Sequence, residues 1–470
     1  MRGHERHNMG EGPDRVKVNH SIFLLLAAAA LAGCAKKEEI LQGQRFDIRT
    51  PLSETFVSDV AQETAKGRKA KITEPPDNTP ENRALPIRLP RMVDLDRWTH
   101  RNGNPENAAP HLRLGRDLAR LWSAPIGAGN DRKHRITAGP VIAEGLIFSL
   151  DSQARVTAIS PIGATVWSRD LTPPSDRPGE ATGGGLAYAG GVVYATTGFG
   201  EVIALKARDG SRLWTQKLNA PVDAPPLVYQ GRVYVISRDN QAWAIRASDG
   251  RIQWQQQSTP ADAGLLGGAS PAAAGRMVIL PFSSGEVVAA LSANGLRAWS
   301  VAISGGRAGY ARSDIGDISG DPVVTGSRVY VANQAGRMAA IDRRDGTRIW
   351  TANEGAYGPV LPVGNSVFLV SDDARLVRLS ARDGSLIWSV PLPQWRKARK
   401  RFDAYVHYGP ILAGGRLIVA SSDGKLRSFD PVSGKLLNEV DIPGGAASAP
   451  AIVDGVLYVL STNGKLHAFK

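Results

Sequence analysis

The sequence predicts an all-β chain folded as an eight-bladed β-propeller of four-stranded antiparallel blades, and three observations carry that prediction. Trp recurs at 122, 167, 214, 254, 299, 350 and 388, with Leu437 assigned the eighth equivalent place, at intervals of 38 to 51 residues. A turn pair stands before most of these positions (Asp209-Gly210, Asp249-Gly250, Asn294-Gly295, Asp345-Gly346, Asp383-Gly384, Ser433-Gly434), and Ile162-Gly163 fills that slot in the first unit. The last unit reaches Lys470 directly after its third strand, LHAF, so its fourth strand is expected from DLARLW at 117–122, upstream of the first full unit. Four short strands per unit of about 40–50 residues is the period of a propeller blade. An N-terminal strand joining the C-terminal blade closes the ring without an open edge.

Each unit justifies its own strands. Runs such as VYVISRDNQAWAI, VYVANQAGRMAAI, LIVASSDGKLRSF and LYVLSTNGKLHAF alternate β-branched and aromatic residues with small or polar ones, around a turn containing Gly or Asn. That pattern suits paired, half-buried strands. Most units open on a Pro-led run (PVIAEG, PLVYQG, PVVTGS, PILAGG, PAIVDG), although the second, GLAYAGG, lacks the Pro. The 51 Gly and 30 Pro fall at these turns instead of in one low-complexity block. The Trp series reads as wedge-filling between neighbouring blades, and the Asp-Gly pairs as turns, not as catalytic carboxylates.

Ahead of the repeat lie two different segments. In residues 1–33, Arg15 and Lys17 precede an apolar run from Ile22 to Ala32, which is too short to span a bilayer and reads as a signal peptide. It ends in Leu31-Ala32-Gly33-Cys34, and Cys34 is the one cysteine of the chain. Residues 34–111 show no sustained period, hold the Pro-rich stretch 74–90, and read as a tether, partly disordered, with one short helix near Ser53 to Lys66. The propeller is then expected over 112–470. The net charge of +13 fits anionic lipid, an acidic partner or a solvated surface.

The unit Ala204-Leu205 through Asp209-Gly210 to Trp214 resembles the repeat of the pyrroloquinoline-quinone propeller superfamily. Residues 31–34 resemble a bacterial lipobox, whose Cys is acylated. Together with a single eight-bladed domain and a tether, they resemble the BamB branch, the lipoproteins of outer-membrane β-barrel assembly. LQGQRFDIR at 41–49 and the stretch Trp98 to His111 are similar to the preamble of its alphaproteobacterial members. The resemblance implies a non-enzymatic scaffold without a cofactor, lipid-anchored through Cys34 at the periplasmic face of the outer membrane. Its partner would be the POTRA region of BamA, with other assembly lipoproteins beside it, and no nucleic acid. The alternatives are a quinone-dependent dehydrogenase and an envelope scaffold unrelated to barrel assembly, for instance one binding peptidoglycan. For the enzyme, adjacent cysteines over the quinone are missing, and no Ca²⁺ ligand set can be assembled from the sequence. His100, His111, His134, His407 and His467 do not stand in zinc spacing and read as solvent-exposed or hydrogen-bonded loop histidines.

Recognition in a propeller belongs to its irregular loops. Gln255 to Gly268 and Val301 to Gly320 are longer than a tight turn needs and follow consecutive blades. They supply apolar Leu265 and Leu266, basic Arg307 and Arg312, and acidic Asp314 and Asp317, an apolar anchor with a charged rim. By position, Leu265 and Asp317 match the family's docking residues best, while Leu266 and Ser319 depart from its pattern. A third insertion, Pro391 to His407, holds Arg396, Lys397, Arg399, Lys400 and Arg401 beside Trp395, Phe402 and Tyr405. It reads as a solvated loop or as a contact for lipid or a partner.

Overall fold

A computed structural model describes residues 81–261, 264–307 and 315–470 of the chain. Eight four-stranded antiparallel sheets follow one another along it. Blade 1 spans Val141–Asp170, blade 2 Gly184–Lys217, blade 3 Leu227–Gln257 and blade 4 Ala272–Ala302. Blade 5 spans Gly320–Ala352, blade 6 Leu361–Pro391 and blade 7 His407–Asp441. Blade 8 takes Ala451–Phe469 and completes itself with Arg120–Pro125, which pairs antiparallel with Lys465–Phe469. The ring is thereby closed by strands from both sides of the repeat, as DLARLW predicts, with the strand beginning three residues later than that motif.

The repeated residues build the joints between blades. Most Trp residues of the outermost strands lie opposite an Ala, as in Ala204 with Trp214 and Ala244 with Trp254, and most of their rings pack against an aromatic of their own blade. The Tyr194–Trp214 centroids are 5.9 Å apart and those of Tyr234–Trp254 5.7 Å, tilted near 48° in both pairs. The indole N–H then crosses to the next blade: Trp167 Nε1 donates to the Ala207 carbonyl at 2.9 Å and Trp214 Nε1 to that of Ala247 at 2.9 Å. The turn glycine of that next blade lies under the ring. At Gly210, φ is +68°, and a Cβ would come within 2.6 Å of Trp167. Gly is required there both by backbone sign and by space.

The eighth place in this series belongs to Asn438, not Leu437. Asn438 pairs with Ser428 as Trp214 pairs with Ala204, beyond the same bulge. Leu437 falls on the outward face and is 53% exposed. The offset from the turn glycine decides it, because Gly434 to Asn438 repeats the spacing of Gly210 to Trp214.

The described part of the expected tether is folded, and the boundary at 112 is corrected accordingly. Residues 93–113 run along the innermost strands of the ring and bond to equivalent positions in successive blades. Leu95 O accepts from Asp454 N of blade 8 at 3.0 Å, and Trp98 exchanges both backbone bonds with Ile142 of blade 1 at 2.7 and 2.8 Å. Thr99 O accepts from Tyr188 N of blade 2, Pro105 O from Ala273 N of blade 4, and Glu106 O from Val324 N of blade 5. His100 Nε2 accepts from Val228 N of blade 3 at 3.1 Å, and Leu112 N donates to Leu412 O of blade 7 at 3.0 Å. The inner edge of a blade is an unpaired strand edge with groups that need partners. This segment supplies them, and Trp98, 1% exposed, joins the core of blades 8 and 1. Residues 34–80, including the expected helix, lie outside the described residues, as do the signal peptide and Cys34.

Candidate functional site

The two long loops meet beside blade 4. The Leu265 amide donates to Asp317 Oδ2 at 2.7 Å, joining the loop that leaves blade 3 to the loop that leaves blade 4. Behind this contact is a cleft of about 160 Å³ lined by Asp223, Arg238, Leu265, Pro281, Ser283 and Asp317, among others. Leu265 is half-buried at its mouth, whereas Leu266 is 37% exposed. The Leu266 side chain also lies across Gly183, where an added Cβ would come within 3.1 Å of its Cδ1.

The cleft concentrates acid under that apolar mouth. Asp317 is 2% and Asp223 5% exposed. Burial pushes the Asp317 carboxyl up to about 6, against the pull of its bonds to Leu265 and Ser283, and the nearby Asp223 charge adds to the rise. Burial raises Asp223 as well, with Arg238 as the main opposing influence. Arg238 Nη1 lies 3.5 Å from Asp223 Oδ2, and its Nη2 donates to Gly264 O at 3.2 Å. One cation therefore pairs with one of the two buried carboxylates and also holds the loop backbone. A desolvated acid pair with one partner binds a donor or cation more strongly than the same groups in water would.

Arg307 is placed elsewhere. Its guanidinium spans Asp372 (Nε to Oδ2, 2.9 Å), Asp373 (3.1 Å) and Glu354 (Nη2 to Oε2, 3.1 Å), so its charge is matched by carboxylates of blades 5 and 6. Glu354 also binds Arg375 at 2.9 Å. Such a partly buried network fixes the loop that leaves blade 4 to the blades after it. Arg312 and Asp314 lie outside the described residues. The acid and cation that complete the cleft, Asp223 and Arg238, sit in turns of unremarkable length. Their signal in the sequence is only their place, one turn away from the long loop.

The insertion after blade 6 forms its own two-stranded sheet, Trp395–Lys397 with Phe402–Ala404, joined by a 3₁₀ turn over Ala398–Lys400. Arg401 closes the turn at φ +46°. Arg396 stacks over Tyr405 at 5.6 Å and Lys397 over Phe402 at 5.7 Å. Of the five histidines, His100, His111, His407 and His467 are buried and hydrogen-bonded, to backbone or to Ser and Thr hydroxyls, which is the hydrogen-bonded alternative of the expectation. Among the described residues, no group of three or more His, Cys, Asp or Glu is arranged to hold a metal ion.

A family model described as "Outer membrane protein assembly factor BamB" matches residues 152–390 and 392–470. Among curated proteins, the outer membrane protein assembly factor BamB of Moranella endobia is 24% identical over 361 residues, spanning 74% of this chain and 89% of its own. That of Yersinia pestis is 25% identical over 358 residues, spanning 74% and 88%. Among solved structures, BamB from Moraxella catarrhalis superimposes with a TM-score of 0.62 at 19% identity, over 75% of this chain and 100% of its own. Quinohemoprotein alcohol dehydrogenase from Comamonas testosteroni gives 0.61 at 17%, over 80% of each. At such identities the structural likenesses speak for the shared propeller alone.

Proposed function

The chain belongs to the BamB family of outer membrane protein assembly factors, and on that footing we propose that it is a non-catalytic scaffold in outer-membrane β-barrel assembly. It docks the POTRA region of a BamA-type protein through the loops between blades 3, 4 and 5. The lipid on Cys34 holds it at the periplasmic face of the outer membrane. The observation that carries the docking site is the bond from Leu265 to Asp317, which brings two loops from successive blades together around one apolar mouth. Leu266 offers the partner an aliphatic anchor, and the rim offers hydrogen-bonding groups, the anatomy of a protein-binding patch. The ring acts as a rigid frame, so recognition needs little reordering of the loops.

Affinity capture of the tagged chain from solubilised outer membranes tests this reading. The native chain is expected to recover the BamA-type component. Leu266→Asp, which places a charge at an exposed apolar anchor, is expected to reduce recovery by about tenfold or more with the fold unchanged. Absence of the component from the native capture refutes the function. Full recovery with Leu266→Asp refutes the docking site.

A further inference from the structure

We propose that the hairpin Trp395–Ala404 docks on an anionic lipid bilayer and holds blade 6 of the ring against the membrane, an inference that rests on the reading of Cys34 as the lipid anchor. The first support is charge. Between Trp395 and Tyr405 the chain carries five cations, Arg396, Lys397, Arg399, Lys400 and Arg401, against the one acid Asp403. Arg396, Lys397, Arg399 and Lys400 are exposed, and so is Phe402, at 60%. An aromatic ring among exposed ammonium and guanidinium groups suits the headgroup region of a bilayer, where the ring enters the apolar boundary while the cations meet phosphates.

The second support is independent of charge and concerns where the chain arrives. The described residues begin on the outermost strand of blade 6. Asn82 exchanges bonds with Ser389 (Nδ2 to O, 3.0 Å; N to Oδ1, 2.8 Å), and Arg83 N donates to Ile387 O at 3.0 Å. Numbers that rise from 82 to 83 meet partners that fall from 389 to 387, so the incoming chain runs antiparallel to the strand. Followed backwards it leads toward Pro391, the end from which the hairpin springs. Coverage by this chain also explains why Ile387 is 4% exposed where Leu121, Val166 and Leu213, its counterparts beside Trp, are 54%, 49% and 46%. Ser389 and Trp395 are six residues apart, a span of at most about 20 Å. The described chain therefore enters the ring at the same edge of blade 6 from which the basic hairpin springs.

The third support is rigidity. Tyr405 N donates to Gln394 O at 2.9 Å, closing the base of the hairpin. His407 bridges Ser421 Oγ and Pro393 O at 2.7 Å each. Val406 N and Ser422 complete the attachment to blade 7. A contact made by this hairpin is therefore transmitted to the ring.

Vesicle flotation of the full chain carrying Cys34→Ala, so that no acyl group contributes, tests the proposal. Vesicles of phosphatidylethanolamine with phosphatidylglycerol are compared with vesicles of phosphatidylcholine alone. The expected result is flotation with the anionic vesicles only, abolished near about 0.5 M salt, where charge is screened within a few ångströms. Arg399→Gln with Lys400→Gln is expected to weaken it at least about tenfold. Equal binding to both lipids, or a double variant that binds like its parent, overturns the proposal. So does a double variant that keeps vesicle binding but loses capture of the BamA-type component, since the occupant is then an acidic protein surface. The anchor is read separately from the mass of the N-terminal peptide of the native protein. An acylated Cys34 with no vesicle binding by the full chain refutes the hairpin and leaves the anchor standing.

Discussion

Asp317 is the residue at which the loops proposed for docking and the stability of the ring are coupled. Burial lifts its carboxyl from 3.8 to about 6. Between those values the folded chain holds a proton that the unfolded chain has released, so this group adds stability as pH falls through about 6 and withdraws it as pH rises. At neutral pH the buried charge costs on the order of 2–3 kcal/mol. Asn in its place keeps an acceptor for the Leu265 amide and carries no charge. Asp317→Asn is therefore expected to raise the unfolding free energy measured in urea at pH 7.5 by about 1–2 kcal/mol, and to show little difference from the parent near pH 4. Taking the difference between variant and parent removes the opposite pH dependence of His100, whose burial lowers it to about 4. An equal effect at both pH values would show that Asp317 is not desolvated. Arg307 teaches the complementary point. A cation counted as part of a binding rim is matched by three carboxylates contributed from further along the chain.

At the level of elements, the segment 93–113 behaves as a part of the propeller rather than as a lead-in to it. Its sequence has no period because its backbone bonds are made one at a time, to a different blade at each step, so neither the two-residue nor the 3.6-residue signal can develop. Clamps at both ends explain its order. The fully buried Arg378 donates to Leu85 O at 2.7 Å, and Arg416 donates to Arg116 O at 3.0 Å. Arg378 stands opposite Trp388 where the other Trp-bearing blades have Ala, and it also takes the Pro431 carbonyl at 3.3 Å. The Trp388 indole N–H is accordingly left without an acceptor among the described residues. Asp321, 1% exposed, gathers Arg101, Asn102 and the Ser270 amide at 3.2, 2.8 and 2.7 Å. Trp98→Ala is expected to destabilise the ring by about 3–5 kcal/mol, as for a large aromatic removed from a core. A tether would lose less than about 0.5 kcal/mol, the usual size of a surface change. Chemical denaturation distinguishes the two outcomes.

For the whole molecule, the repeat made the ring legible because most blades repeat one solution to one packing problem: a Trp of one blade over a Gly of the next, with a hydrogen bond across the joint. Counting Trp positions predicted eight sheets, and the missing last strand predicted how the ring closes. The eighth Trp place was off by one, since two leucines stand beside it and only the offset from Gly434 identifies Asn438. The candidate cleft was legible in part. Leu265 and Asp317 were visible as loop residues of unusual length and type, but Asp223 and Arg238 come together with them only through the curvature of the ring, which no local pattern encodes. The basic run at 396–401 was visible as charge, and its paired strands were not. Family membership gives the ring its place in outer-membrane assembly, and the loops beside blade 4 are the surface proposed for docking. Hydrogen–deuterium exchange of the full chain, alone and with the soluble POTRA region of the proposed BamA-type partner, tests that proposal most directly. The account predicts slowed exchange in residues 255–268 and 301–320, with the rest of the ring unchanged. Binding that leaves both loops unprotected would contradict it.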